Sequence, residues 1–262
     1  MTLHTLRPAA EGAGLPLVLL HAFPLDHRMW QDAAARLPGA RAVLAIDLPG
    51  AGTSHGAVLP EPPSLEAAAA ALARELDAAG VPRAVVAGLS MGGYVALALL
   101  ERRPGLVAGL GLVDTKSSAD TPEARANRLR VADEAEGDAS VAPVRPMVAT
   151  LVGETTRSSR PDVLERVAGW VEEQAPASVA WAQRAMAARP DRTDVLAAWD
   201  GPVAVVVGDE DTVTPVDAAR HMADAAPQAQ LVVVPRAGHL SAVEQPDAVA
   251  LALGDLCQRA DA

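Results

Sequence analysis

The 262-residue chain has a single cysteine, Cys257, so no internal disulfide can form. No Cys/His cluster has the spacing of a zinc site either. Cys257 lies in an apolar C-terminal stretch and is expected to be a small buried hydrophobe. Aromatic residues make up only 2% of the chain, which makes the position of each tryptophan informative. Positive charge is also scarce: 22 Lys and Arg against 33 Asp and Glu leave a net charge of −11. Without a basic stripe to displace counterions, a nucleic-acid partner is excluded, and an anionic membrane surface is disfavoured. No apolar stretch reaches spanning length without interruption. Met1-Thr2-Leu3-His4 lacks a basic segment followed by an apolar run, so no signal peptide is expected and the expected location is the cytoplasm.

What is present is core-forming material, since half the residues are hydrophobic and 21% are charged. The length suits one large α/β domain, or such a domain with an insertion. Residues 15–21 (LPLVLLH) and 42–47 (AVLAID) are apolar runs too short for helices and read as buried parallel strands. A helix over about 28–37 fits between them, ended by Pro38-Gly39. Ser64 caps a helical stretch with Glu66 in its first turn, running to Gly80. A strand at 84–87, a helix over about 91–103 and a strand at 106–113 follow. This is the alternation of a doubly wound, mostly parallel sheet. From 115 to about 199 the rhythm breaks into helical segments alone. Thr121-Pro122 is a cap followed by a proline at the first helical position, and 162–174 and 178–188 are two further helices. Strand and helix signals then resume at 202–207, after Pro215, at 231–234 and toward Gln258. The expected organisation is an α/β core formed by 1–114 and 200–262, with 115–199 as an inserted helical cap.

Four strand ends carry the chemistry. Gly88-Leu89-Ser90-Met91-Gly92-Gly93 places a serine in a tight strand-to-helix turn, with glycines giving room to the crowded backbone. The helix that follows offers free N–H groups to developing negative charge. His21-Ala22-Phe23-Pro24 follows the first core strand. Acyl transfer needs two N–H donors for the tetrahedral oxyanion, and the candidates are the backbones of Met91 and Phe23. His21 itself reads as a hydrogen-bonded structural residue. In the turn Gly208-Asp209-Glu210-Asp211, three acids compete, and Asp211 is best placed to turn back toward a base. Gly238-His239-Leu240 supplies that base after the last strand. Of the other histidines, His4, His27, His55 and His221 are expected to face solvent. The order Ser90, Asp211, His239 is one of three known for such triads.

These blocks resemble α/β-hydrolases along nearly the whole chain, through HAFP, DLPGAGTS (47–54), GLSMGG, GDEDTVTP and GHLSAVEQP (238–246). The segment ending Met186-Ala187-Ala188-Arg189-Pro190-Asp191 is similar to bacterial carboxylesterases of the pimeloyl-carrier-protein methyl-ester type, and the same outline resembles 3-oxoadipate enol-lactonases. A departure is Ala22, where the family usually has glycine, because a β-carbon restricts positive φ. The resemblance and the residues together point to a serine hydrolase cleaving a carboxylic ester of small or medium acyl size. Ser90 would be the nucleophile, His239 the base and Asp211 the orienting acid; no cofactor or metal is required. Alternatives are a lactone or enol-lactone hydrolase, a cofactor-free perhydrolase or haloperoxidase, and a non-enzymatic small-molecule receptor. Three of the four tryptophans (Trp170, Trp181 and Trp199) fall in 115–199, with Met147 and Met186. Met147, Trp181 and Leu240 are the expected contacts of an apolar substrate pocket.

Overall fold

The computed structural model describes residues 1–262. Seven strands form one sheet in the order β1-β3-β2-β4-β5-β6-β7. They are β1 (Thr2–Arg7), β2 (Leu17–Leu20), β3 (Val43–Asp47), β4 (Ala84–Leu89), β5 (Val107–Val113), β6 (Val203–Gly208) and β7 (Ala229–Val234). Strands β2 to β6 are buried throughout, which is why they read as continuous apolar runs and not as alternating ones. All neighbours pair parallel except β1, which runs antiparallel to β3 along one edge. No strand was expected at residues 2–7. The segment is only half-buried on an edge, so its hydrophobic signal is weak.

The flanking helices are α1 (Gln31–Arg36), α2 (Leu65–Ala78), α3 (Met91–Arg102), α10 (Val216–Ala225), α11 (Ser241–Glu244) and α12 (Pro246–Asp261). Ser64 caps α2 by accepting from the Ala67 amide at 3.1 Å. Between β5 and β6 run α4 (Pro122–Gly137), α5 (Val148–Leu151), α6 (Glu154–Ser159), α7 (Pro161–Glu172), α8 (Pro176–Ala187) and α9 (Thr193–Ala197). Thr121 caps α4 as its sequence implied, accepting from the Ala124 amide at 3.2 Å. The pair α4 and α8 packs together, whereas α9 lies against α10 and α3. Polar contacts join this helical block to loops that leave the carboxyl ends of β2, β3, β6 and β7. Gln174 donates to Asp26, Ser178 to the Pro49 carbonyl, Thr155 to Glu210 and Thr156 to Glu244. In an open parallel sheet those ends are where ligands bind. No helix is long and apolar enough to cross a membrane, and Cys257 is fully buried.

Candidate active site

Ser90 occupies the turn between β4 and α3 with φ +53° and ψ −113°, a conformation that costs a non-glycine residue on the order of 1–3 kcal/mol. The surroundings hold it there. Its amide donates to the Val113 carbonyl at 3.0 Å, and its carbonyl accepts from the Thr115 hydroxyl at 2.8 Å. A β-carbon on Gly88 would run into the Gly92 backbone, and one on Gly92 into the Leu20 carbonyl. The glycines are therefore needed for close approach, which lets α3 begin directly beneath the serine.

The structure brings Ser90, His239 and Asp211 into one hydrogen-bonded line. The Ser90 hydroxyl lies 2.8 Å from His239 Nε2, and His239 Nδ1 lies 2.9 Å from Asp211 Oδ2. An ionised carboxylate can only accept, so Nδ1 carries the proton and Nε2 is left as the acceptor for the serine. Asp211 is fixed by the Val213 and Thr214 amides at 2.8 and 2.9 Å and by the Thr214 hydroxyl at 2.7 Å. Burial alone would raise the Asp211 pKa, but the His239 hydrogen bond and charge and the Thr214 donors outweigh it, and its carboxyl is held below the usual range. Ser90 is 8% exposed and His239 1%, so the line is almost wholly shielded from solvent.

Met91 is the first residue of α3, where an amide has no intrahelical partner. The Phe23 amide has none among the turn hydrogen bonds. Both residues line one narrow apolar cavity, together with Leu25, Leu48, Val95 and Trp181. Met147 and Leu240 do not line it: Met147 packs half-buried beside the core, and Leu240 is wholly buried within it. Ala22 does not take positive φ, so its β-carbon costs the loop nothing there.

A family model described as alpha/beta hydrolase fold matches residues 16–246. The chain belongs to the alpha/beta hydrolase fold family. It is 30% identical over 254 residues to a pimeloyl-[acyl-carrier protein] methyl ester esterase of Aromatoleum aromaticum, covering 92% of this chain and 97% of that one. It is 31% identical over 243 residues to the dihydrolipoyllysine-residue acetyltransferase component of an acetoin cleaving system of Pseudomonas putida. That match covers 90% of this chain but spans only 61% of the relative. Among solved structures, a thermophilic esterase from Thermogutta terrifontis superposes with TM-score 0.92 at 36% identity, covering 100% of this chain and 94% of that one. The family supports a hydrolase.

Two further carboxylates of this hydrolase brace the loops that carry Asp211 and His239, and sequence reasoning did not find them. Asp114, at the end of β5, is fully buried with φ +43°. It accepts from the Gly208 amide at 2.9 Å and from the Ser241 amide and hydroxyl at 3.0 and 2.6 Å. Burial, and then the nearby charge of Asp211, push its carboxyl well above the usual range. Glu244 is 1% exposed and accepts four hydrogen bonds. One oxygen takes the amides on either side of His239, from Gly238 at 2.8 Å and Leu240 at 3.3 Å. The other takes the Gly153 amide at 2.8 Å and the Thr156 hydroxyl at 2.6 Å, both from the helical block. The backbones of Gly153 and Gly238 pack so closely that a β-carbon on either would strike the other. Glu210, another of the three acids in the turn that carries Asp211, holds the amide and hydroxyl of Thr155. Gly238 and Leu240 lie six and four residues from Glu244, but the other partners are distant in sequence, so the only local signal is an acid at an otherwise buried position of the short helix α11.

The histidines separate differently from expectation. His21 is structural as expected: Nδ1 donates to the Ala22 carbonyl at 2.8 Å and Nε2 accepts from the Leu48 amide at 3.0 Å. Burial lowers its pKa, which suits this neutral role. His4 and His27, expected to face solvent, are only partly exposed. Their rings stack at 3.7 Å, and each donates to buried Asp47 at 2.9 Å. Asp47 also takes the His27 amide and the Thr53 amide and hydroxyl. Burial works to raise its pKa, but these donors hold it far below the usual carboxylate range. The three side chains have ligand atoms within 4.8 Å of one another. The hydrogen bonds of the two histidines to Asp47, the last residue of β3, fasten β1 through His4 and the loop after β2 through His27. His55 is exposed, and exposed His221 lies 3.3 Å from the Thr193 hydroxyl.

Proposed function

We propose that this hydrolase cleaves carboxylic esters through an acyl-enzyme on Ser90. The observation that carries the reading is the Ser90–His239–Asp211 line with its proton direction fixed by the carboxylate. Ser90 Oγ attacks the ester carbonyl carbon while its proton passes to His239 Nε2. The carbonyl oxygen becomes an oxyanion facing the Phe23 and Met91 amides, where donors aimed at developing charge lower the barrier most. The C–O bond to the alcohol then breaks, and His239 returns the proton to the departing oxygen. Water then gives a proton to His239 as it attacks the acyl carbon; the bond from that carbon to Ser90 Oγ breaks, His239 returns the proton to Oγ, and the acid is released. Asp211 stays ionised, holding the imidazole tautomer and stabilising the transient imidazolium. In this reading residues 115–199 act as a cap over the cavity, and a small-molecule ester is the only partner the chemistry needs. The acidic, cysteine-poor composition fits the cytoplasm.

A fluorophosphonate probe and p-nitrophenyl acetate test this directly. Wild type is expected to label at Ser90 and release p-nitrophenol with a burst, and Ser90→Ala to do neither. Stoichiometric binding of esters without turnover would instead favour a small-molecule receptor on this fold.

A further inference from the structure

Three consecutive residues at the end of β5 touch every loop of the triad. The Val113 carbonyl accepts from the Ser90 amide at 3.0 Å, and the Thr115 hydroxyl donates to the Ser90 carbonyl at 2.8 Å. Between them stands Asp114. One of its carboxylate oxygens accepts from the Gly208 amide at 2.9 Å, and the other from the Ser241 amide and hydroxyl at 3.0 and 2.6 Å. Resting on the reading of Ser90, His239 and Asp211 as the triad, we propose that Asp114 and Ser241 are positioning residues for the reaction. They set the relative placement of His239 and Asp211, and with it the rate of proton transfer from Ser90.

Both ends of this link reach the triad within a few atoms. Gly208 is the last residue of β6, and its carbonyl accepts from the Asp211 amide at 3.2 Å. The residue held by Asp114 is therefore bonded in turn to the orienting acid. On the other side, Ser241 follows His239 by two residues and opens α11. The two oxygens of one carboxyl group are fixed to each other covalently, so the acid loop and the base loop are kept at one spacing. The Asp114 amide also donates to the Val206 carbonyl at 2.8 Å, which anchors the linking residue itself to β6. The two loops touch directly as well, through the Glu210 amide and the Ala237 carbonyl at 2.8 Å. Asp114 adds what that contact lacks, a tie from both loops to the segment that holds Ser90.

The residue type is constrained by the same geometry. Asp114 has φ +43°, a left-handed conformation that Asp and Asn adopt more readily than other residues with a β-carbon. Asp114 and Ser241 are both wholly buried, so a donor that loses its partner there is not compensated by solvent. Neither side chain bonds to the side chains of Ser90, His239 or Asp211. They act through the loops. A small displacement of the base relative to the serine slows the chemical step without weakening the hold on the ester.

The test uses Asp114→Asn and Ser241→Ala, with kcat and KM for p-nitrophenyl acetate measured well below Tm. Asparagine keeps the shape and the left-handed backbone, but its NH2 group must face either the Gly208 or the Ser241 amide, so one loop loses its tie. Asp114→Asn should lower kcat by about 10–100-fold, with KM within about twofold of wild type. Ser241→Ala leaves the amide bond in place and should lower kcat by a smaller factor, about threefold to tenfold. The double variant should be about as slow as Asp114→Asn alone, because both changes break one link. The proton resonance of His239 Nδ1–H, identified by its loss in His239→Gln, should shift in both single variants. Wild-type kcat in either variant, whatever happens to Tm or KM, would overturn the inference. So would a lowered kcat beside an unmoved resonance, since the His239–Asp211 pair would then be undisturbed. If Asp114→Asn does not fold, Ser241→Ala decides by the same readings. Fluorophosphonate labelling of wild type is read in parallel. If Ser90 labels and the variants behave as wild type, only this inference fails; if Ser90 does not label, the functional reading itself fails.

Discussion

Replacing Glu244 by glutamine keeps the side-chain shape and removes half of its accepting capacity, so the cost can be worked from the four bonds. A glutamine oxygen can still serve two donors. Its NH2 group must face the other two. The less costly orientation turns the NH2 toward the helical block, where the Thr156 hydroxyl can rotate to accept and only the Gly153 amide loses its partner. One orphaned buried donor costs about 1–3 kcal/mol, and exchanging charged for neutral acceptors at Gly238 and Leu240 adds roughly 1 kcal/mol for each. The sum is about 3–5 kcal/mol. For a domain of this size that lowers Tm by on the order of 5–15 °C. The opposite orientation would orphan both amides flanking His239, so some loss of alignment at the base should accompany the loss of stability. Burial holds the Glu244 carboxyl above its ordinary range. An acid with a raised folded pKa gives stability that is complete below its unfolded value and lost as pH rises through the folded one, and glutamine abolishes that slope. Scanning calorimetry at several pH values, with Ser90 labelling rates measured well below Tm, reads both effects. A variant with wild-type Tm and labelling rate would show that Glu244 braces neither the helical block nor His239.

Asp211→Asn should lower ester turnover by about 10⁴, because an amide cannot hold the Nδ1–H tautomer. Asp209→Asn should change turnover little, and Glu210→Gln should lower Tm through its lost Thr155 contacts more than it lowers kcat. Asp47 has a folded pKa below its unfolded value of about 3.9, so its stabilisation is present above that pH and is lost as pH falls toward the folded value. Asp47→Asn should therefore flatten the acid limb of a urea-denaturation series, and an unchanged limb would contradict the fastening role given to it.

The elements legible in the sequence were those whose signals are local. Ser90 could be placed because glycines, a strand and a helix start all converge within six positions. Strands β2 to β6 could be placed because full burial writes itself as unbroken apolar runs. Strand β1 was missed because its pairing with β3 is antiparallel and half-solvated, which leaves no run to see. His4 and His27 were misjudged for a related reason: their partner Asp47 is remote in the chain, and nothing near either histidine announces it. Asp114 and Glu244 look like ordinary acids until folding brings Ser241 and the Gly153–Thr156 turn against them. Of the expected pocket contacts, Trp181 lines the cavity, whereas Met147 is half-buried beside the core and Leu240 buried within it, a difference that depends on packing between remote segments.

The central claim is that Ser90 carries the acyl group between the two half-reactions. Rapid acid quench of wild-type protein mixed with excess p-nitrophenyl acetate, followed by peptide mass spectrometry, tests it most directly. The expected result is an acetyl group on the peptide containing Ser90, forming within the burst and disappearing when substrate is exhausted. Sustained turnover with no acylated Ser90, or acetylation confined to another residue, would contradict it.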